Sequence, residues 1–155
     1  MQSLKFEPVR WDGNALVLID QRKLPSQLRL IRCRRLTEVW QAIRELAVRG
    51  APAIGVAAGY GVYVGLLEKR PKNNAEFFKA LKTIGEFLKA SRPTAVNLAW
   101  AVDRITKKAR RQKARSATVP VLMKNVLSEA RLIHQEDQAL SRAIGRSGDT
   151  LIRTG

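Results

Sequence analysis

Arg49 and the residues after it are of the types that bind phosphate at the start of a helix. Gly50, Ala51 and Pro52 follow the arginine, and an uncharged run then extends through residue 67. Proline suits the first turn of a helix, where its missing N–H costs nothing. Free N–H groups at such a helix start, beside a glycine that permits close approach and a forked guanidinium, predict an anion site.

Arg92 repeats this arrangement, because Pro93 follows it and a helical pattern begins near residue 94. Two arginines at two helix starts could converge on one phosphate. The alternative is a pair of ordinary helix starts with solvent-facing arginines. Proline in a first helical turn is a common signal, so local chemistry alone favours that alternative.

The other reactive side chains are isolated in sequence. Cys33 is the only cysteine, which excludes a disulfide framework and a cysteine zinc site. The arginines beside it could lower its pKa, but without a base in view a structural thiol is preferred. His134 has no second histidine for a metal pair, so a structural or solvent-exposed role is preferred. Glu45 and Asp103 are the acids nearest the predicted anion site, and each could be an ion-pair partner on a helix surface. We expect no metal and no cofactor.

The net charge of +16, from 29 basic and 13 acidic residues in 155, favours polyanions, anionic lipid surfaces or acidic partners. Its densest part is residues 104–115, which contains no acid. Nucleic-acid modules usually interleave aromatic residues or glycines with such charge, and this run has neither. We interpret it as the solvated end of a helix running into a loop, with a nucleic-acid contact as the less favoured alternative.

The elements that must position these residues form an α+β fold, with a small N-terminal antiparallel sheet followed by a helical bundle. Residues 1–35 alternate like strands, and residues 12–14 are typical of a hairpin turn. Helices are predicted over 38–48 with Thr37 as N-cap, 52–68, 75–90, 94–113 and 120–144, the last ending at Gly145–Gly148. The strand alternation begins at Leu4 and Phe6, and the inward helix positions include Val39, Ile43, Leu46, Phe77, Leu81, Val96, Leu98, Val126, Leu140 and Ile144.

The helix over 52–68 is apolar nearly all round, which predicts a central helix buried on several faces. A transmembrane span is the alternative. It is not favoured, because the uncharged run is short for a span, rich in glycine and has a proline near its start. The first seven residues carry no apolar run of the signal-peptide type, so we expect a cytoplasmic protein with no membrane partner.

Several motifs together resemble methylthioribose-1-phosphate isomerase, an enzyme of methionine salvage. They are residues 47–58 (AVRGAPAIGVAA), 92–98 (RPTAVNL) with 100–104 (WAVDR), 18–25 (LIDQRKLP), 133–137 (IHQED) and 142–145 (RAIG). The resemblance covers essentially the whole chain. It implies isomerisation of 5-methylthioribose 1-phosphate to 5-methylthioribulose 1-phosphate, with ring opening and hydrogen movement between C1 and C2. In the family, residues matching Arg49, Gly50, Ala51 and Arg92 bind the substrate.

The resemblance also implies what this chain lacks. Family members are more than twice as long, and their catalytic cysteine and aspartate lie in a C-terminal Rossmann-like domain. Cys33 does not match that catalytic cysteine in position or motif. We therefore expect a β segment over 1–35, a bundle over 36–146 forming one domain with it, and a connector over 147–155 toward an absent catalytic domain. The chain alone should bind a phosphosugar without converting it, and the full-length protein should be a homodimer.

Two other classes of protein remain open. The isomerase fold is shared with the regulatory subunits of translation initiation factor 2B, which lack the isomerase chemistry and bind phosphorylated ligands or partners. The second class is a basic module that binds polyanions, for which nucleic-acid binding should depend steeply on salt. A phosphosugar site predicts competition by small sugar phosphates instead.

Overall fold

A three-stranded antiparallel sheet begins the fold, and five helices follow it within the part of the chain that the structure describes. The computed structural model describes residues 7–113, 117–149 and 151. The strands are β1 (Val9–Asp12), β2 (Ala15–Ile19) and β3 (Leu30–Cys33), in the order β1-β2-β3. The helices are α1 (Leu36–Arg44), α2 (Ala51–Lys69), α3 (Asn74–Ser91), α4 (Val96–Lys113) and α5 (Val119–Asp149). The predicted α+β fold is confirmed.

The sheet is a meander with a tight first turn. Asp12 pairs with Ala15 across that turn, and Gly13 has a φ of +64°, a conformation that glycine adopts without strain. All five residues of β2 are buried, because β1 and β3 flank the strand and α2 packs on it. Leu4 and Phe6, which were predicted to begin the strand pattern, lie outside the described residues.

Helix α2 is the centre of the bundle and packs against each of the other four helices. Every residue from Ile54 to Val62 is buried, as its nearly uniform apolar surface predicts. By length and composition it is the one helix in the described part of the chain that could cross a membrane. About two-thirds of its apolar window is buried inside the protein, which is typical of a core helix.

The first helix is shorter than its pattern predicts. It begins at Leu36 and ends at Arg44, so the predicted N-cap at Thr37 and the end near Val48 are wrong. Glu38 caps the start, because its carboxylate accepts hydrogen bonds from the N–H groups of Arg34 at 2.7 Å and Arg35 at 3.0 Å. At the other end Leu46 has a φ of +62°, which breaks the helical path and leaves its side chain exposed rather than inward.

The last helix is longer than predicted and passes through both glycines that were expected to end it. Neither Gly145 nor Gly148 has the positive φ of a glycine helix end, so both act as ordinary interior residues. Residues 147–149 of the predicted connector are therefore helical, and residues 150 and 152–155 lie outside the described part. Leu140 and Ile144 are more than 60% exposed and not in the core as predicted, because the bundle covers only the first half of α5.

Candidate functional site

Arg49, Gly50, Ala51 and Arg92, the four predicted binding residues, line one cleft of about 510 Å³. The cleft lies between the start of α2 and the segment that leads from α3 into α4. The structure thus brings together two sites that lie more than 40 residues apart in sequence. The other lining residues are Leu46, Ile54, Thr94, Ala95, Val96 and Asn97.

The first half of the cleft is a helix N-terminus. Gly50 precedes α2 with a φ of +87°, which glycine adopts readily, and Ala51 is the first helical residue. The first helical hydrogen bond runs from the N–H of Ile54 to the carbonyl oxygen of Gly50 at 3.0 Å. N–H groups earlier in that turn have no partner within the helix, and the helix dipole adds partial positive charge there. This end of α2 can therefore bind an anion.

The second half of the cleft consists of a turn at residues 92–95 and the start of α4 after it. The N–H of Ala95 donates to the carbonyl oxygen of Arg92 at 3.0 Å, and α4 begins at Val96. The prediction that Pro93 opens this helix near residue 94 is therefore wrong by two residues. Because Val96 lies at the exposed start of α4 rather than within it, its side chain is 78% exposed and not in the core as predicted.

A close approach of two helices joins the two halves. A Cβ atom placed on Gly55 would lie only 3.0 Å from the carbonyl oxygen of Asn97, so a larger residue would push the starts of α2 and α4 slightly apart. The neighbouring Ser91 is buried, and its carbonyl oxygen accepts a hydrogen bond of 3.5 Å from the Arg44 guanidinium at the end of α1. These contacts determine where Arg92 stands relative to Arg49.

The cleft is positively charged and contains no acid or base. Within the described residues the guanidinium groups of Arg49 and Arg92 form no ion pair, and both are accessible to solvent. Among the lining residues there is no carboxylate, imidazole or thiol. Thr94 and Asn97 add polar groups to the cleft. Both belong to the motif of residues 92–98, in which a binding role was predicted only for Arg92. The cleft can orient an anionic ligand, but its own side chains cannot move a proton between carbon atoms.

Neither Cys33 nor His134 lines this cleft, and Cys33 is buried whereas His134 is half-buried. Burial raises the pKa of the Cys33 thiol to about 12, so its neighbouring arginines do not activate it. Burial also lowers the pKa of His134, whose Nδ1 lies 3.2 Å from the hydroxyl of Tyr60 and whose Nε2 lies 3.1 Å from Gln138. No cluster of three or more potential metal ligands occurs among the described residues.

The two acids nearest the site in sequence are ion-pair partners. Glu45 lies 2.5 Å from Arg22, and Asp103 lies 2.6 Å from Lys89.

The basic run of residues 104–115 is more structured than a solvated helix end. Arg104 lies 2.7 Å from Glu129 and also pairs with a second acid of α5, while its guanidinium lies 5.3 Å from the ring centre of Trp100.

Among the other cations of the run, Lys108 also contacts Glu129 of α5, at 3.5 Å. Lys107, Arg110 and Arg111 are exposed and have no ion pair among the described residues, as a solvated face predicts. Arg115 and the side chain of Lys113 lie outside the described part of the chain.

Comparison with known proteins identifies similar chains among isomerases and initiation factor subunits. Over 142 residues the chain is 41% identical to a 5-deoxyribose 1-phosphate isomerase from Petrotoga mobilis, covering 92% of this chain and 40% of the relative. Over 153 residues it is 39% identical to methylthioribose-1-phosphate isomerase 1 from Pseudothermotoga lettingae, covering 99% and 43%. The chain thus spans about two-fifths of the length of these curated relatives.

Solved structures give the same picture. Subunit delta of translation initiation factor eIF-2B from A. fulgidus matches with a TM-score of 0.87 and 36% identity, over 97% of this chain and 43% of that one. The 5-methylthioribose 1-phosphate isomerase of Pyrococcus horikoshii matches with a TM-score of 0.76 and 31% identity, over 86% and 40%. The model of the initiation factor 2 subunit family matches residues 47–155. The chain therefore belongs to the initiation factor 2 subunit family.

Proposed function

We propose that this chain forms the substrate-binding part of a sugar-phosphate isomerase. The reaction would convert 5-methylthioribose 1-phosphate into 5-methylthioribulose 1-phosphate in methionine salvage. The observation that carries the proposal is the convergence of two unpaired guanidinium groups and one helix N-terminus in a single cleft. Relatives named for 5-deoxyribose 1-phosphate make that sugar the alternative substrate. Both sugars carry the 1-phosphate that this cleft would bind.

The phosphate would be held by charge and by backbone donors together. The forked guanidinium groups of Arg49 and Arg92 each match two phosphate oxygens, and the first turn of α2 offers N–H groups beside Gly50. Gly50 has no side chain that would separate the ligand from the backbone. The polar side chains of Thr94 and Asn97 would then contact hydroxyl groups of the sugar.

Conversion of the aldose to the ketose would need groups that this cleft lacks. The phosphate on C1 prevents spontaneous ring opening, so an acid must assist that step before hydrogen moves between C1 and C2. The described lining residues supply no such acid or base. By resemblance, the catalytic cysteine and aspartate belong to a C-terminal domain. We propose that this chain binds the substrate without turnover in the cytoplasm, and that a protein of the family's full length would be a homodimer.

The first test measures binding and turnover of 5-methylthioribose 1-phosphate by the purified chain. We expect calorimetric binding without ketose formation, and competition by inorganic phosphate. Arg49→Gln and Arg92→Gln should each weaken binding by about ten- to a hundredfold, since a hydrogen bond to a charged group contributes about 1.5–3 kcal/mol. Arg10→Gln, at an exposed position of β1, is the matched control and should bind like the wild type.

Unchanged affinity in both cleft variants would contradict the proposed site. Ketose formation by the chain alone would show that its own residues provide the acid and base, and would make Asp103 and Cys33 the next residues to replace. If the chain stays inactive, adding a polypeptide that carries the family's cysteine and aspartate should restore activity.

A regulatory protein is the second candidate function. The structural similarity to an eIF-2B delta subunit, with the higher of the two TM-scores, favours it. A regulatory chain would bind a sugar phosphate in the same cleft, but added catalytic polypeptide would not restore turnover. A polyanion-binding module predicts instead that nucleic acid binds with a steep salt dependence and is not displaced by sugar phosphates.

A further inference from the structure

The turn after β2 contains an ion pair with a buried carboxylate, which the proposed binding mechanism does not use. The side chain of Asp20 is 1% exposed, and its carboxylate accepts hydrogen bonds from Nε of Arg22 at 2.8 Å and from the second terminal nitrogen at 2.9 Å. The N–H of Arg22 donates to the same carboxylate at 3.2 Å. These bonds lower the pKa of Asp20, so that the pair stays ionised. The guanidinium is therefore fixed in direction.

The free end of that guanidinium reaches the end of α1. Its remaining terminal nitrogen donates to the carboxylate of Glu45 at 2.5 Å. Glu45 directly follows α1 and directly precedes the loop of residues 46–49, which leads to the cleft. Arg22 thus ties the turn after β2 to the point at which the loop begins.

Gln21, the neighbour of Arg22, contacts the same loop further along. Its N–H donates to the carbonyl oxygen of Ala47 at 2.9 Å, and its side-chain amide lies 3.5 Å from the carbonyl oxygen of Arg49. The short 3-10 turn at Gln21–Lys23 therefore contacts the residue before the loop, the middle of the loop and its last residue. Its orientation depends on Arg22, because Arg22 is the residue that links this turn to both Asp20 and Glu45.

The loop needs such support because its backbone is strained. Leu46 has a φ of +62°, a region that leucine disfavours, and its side chain is 41% exposed. Ala47 and Val48 are buried, so they anchor the middle of the loop in the core. An exposed leucine in this conformation gains little from packing. Hydrogen bonds between the loop and its neighbours, α1 and the turn at Gln21–Lys23, therefore support the conformation of Leu46.

We propose that Arg22 is a positioning residue, which fixes the loop of residues 46–49 so that Arg49 is presented to the anion in the cleft. This inference rests on the proposed function, since it assigns Arg22 a part in the same ligand site. Arg22 does not line that cleft. Its effect on binding would pass through Glu45 and Gln21 to the loop.

Two conservative variants test the proposal without leaving a buried charge unpaired. Arg22→Lys keeps a positive charge beside Asp20, but a single ammonium group cannot reproduce the two-sided fork that also reaches Glu45. Glu45→Gln leaves the ion pair of Arg22 with Asp20 intact. It removes only the ion pair of Arg22 with Glu45, whose side chain is 55% exposed. The matched controls are Arg32→Lys and Asp12→Asn, at an ion pair of 2.6 Å across the sheet in which both side chains are about 45% exposed.

The measurements are the Kd of 5-methylthioribose 1-phosphate by calorimetry, hydrogen exchange at individual amides, and the midpoint of urea unfolding. We expect Arg22→Lys and Glu45→Gln to weaken binding about three- to tenfold, as substitutions that act without touching a ligand commonly do. Exchange should accelerate at the N–H groups of Leu46 and Val48, which donate to the carbonyl oxygens of Ile43 and Ala42 in α1. A purely stabilising role would shift the unfolding midpoint without this local change.

The outcomes separate this inference from the proposed function. If the wild type binds the sugar phosphate and both variants bind it equally well, Arg22 has no positioning role and the proposed function stands. If the two control variants weaken binding to the same extent, the effect is a general loss of stability and the inference is overturned. If the wild type binds no sugar phosphate, both proposals fall together.

Discussion

The thiol of Cys33 lies at the end of β3 and is fully buried, although Arg32 and Arg34 flank it in sequence. Arg32 points away and forms an ion pair with Asp12 at 2.6 Å. The carboxylate of Glu38 adds negative charge on the side of the thiol. Burial and this carboxylate both favour the neutral thiol, so its pKa rises to about 12.

We expect the folded protein to be almost inert toward a disulfide-exchange reagent at pH 8. With a pKa of about 12, the thiolate fraction is about a thousandfold smaller than that of a free cysteine. The check is the rate of thiol modification in buffer and in denaturing urea, which should differ by at least a hundredfold. Equal rates would mean that the flanking arginines do activate the thiol.

At the level of single residues, four residues of the cleft were predicted as binding residues, but a fifth lining residue, Leu46, was predicted to lie in the core. Arg49 and Gly50 could be predicted because helix-start chemistry depends on local residue types, whereas Ala51 was implied by the family resemblance. Leu46 has a left-handed backbone conformation, which residue type does not predict for a leucine. The helical pattern therefore placed Leu46 in the core, although α1 ends at Arg44. In the folded chain this conformation accompanies hydrogen bonds from Leu46 and Val48 to α1 and the burial of Ala47 and Val48, which residue type alone does not specify.

At the level of elements, the glycines of α2 determine how closely its neighbours approach. A Cβ atom on Gly65 would lie 2.9–3.0 Å from three atoms of the buried Ile84 side chain of α3. A Cβ atom on Gly59 would lie 3.6 Å from Ile105 and 3.7 Å from Ala130, which is ordinary contact. Two glycines six residues apart in one helix therefore differ in what they allow.

We expect Gly65→Ala to lower the free energy of unfolding by about 1–3 kcal/mol, because Ile84 is fully buried and cannot move aside without repacking. Gly59→Ala should raise it by up to about 1 kcal/mol, since alanine is the better helix former and space for its methyl group exists. Urea unfolding of both variants measures the difference. A stabilising Gly65→Ala would show that α3 is free to shift.

The same scale explains which helix boundaries could be predicted. Periodicity identified four of the five helices, because each buries an apolar stripe, whereas α2 was identified by its long uncharged run after Pro52. It could not show how far a stripe is covered, so Leu140 and Ile144 were predicted to lie inward although they extend beyond the bundle. Glycine near a helix end is likewise ambiguous, because only a positive φ makes it an end and the sequence does not specify φ.

At the level of the whole molecule, the few acids mostly connect elements and leave the cations in excess. Arg104 of α4 pairs with Glu129 of α5, and Lys89 of α3 pairs with Asp103 of α4. Most of the remaining basic side chains face solvent without a partner among the described residues, and the whole chain carries a net charge of +16. Such an excess of positive charge predicts that the basic side chains repel one another and that this repulsion lowers the stability of the folded state.

We therefore expect NaCl to stabilise the protein. Raising the ionic strength from 0.01 M to 1 M shortens the Debye length from about 30 Å to about 3 Å, which screens the distant repulsions before it weakens close, partly buried pairs such as Arg104 with Glu129. The check is the midpoint of thermal unfolding across this range. Replacing Lys107, Arg110 and Arg111 together by glutamine lowers the net charge from +16 to +13 and should reduce the salt effect. A midpoint that falls with salt would mean that the ion pairs between helices outweigh the repulsion.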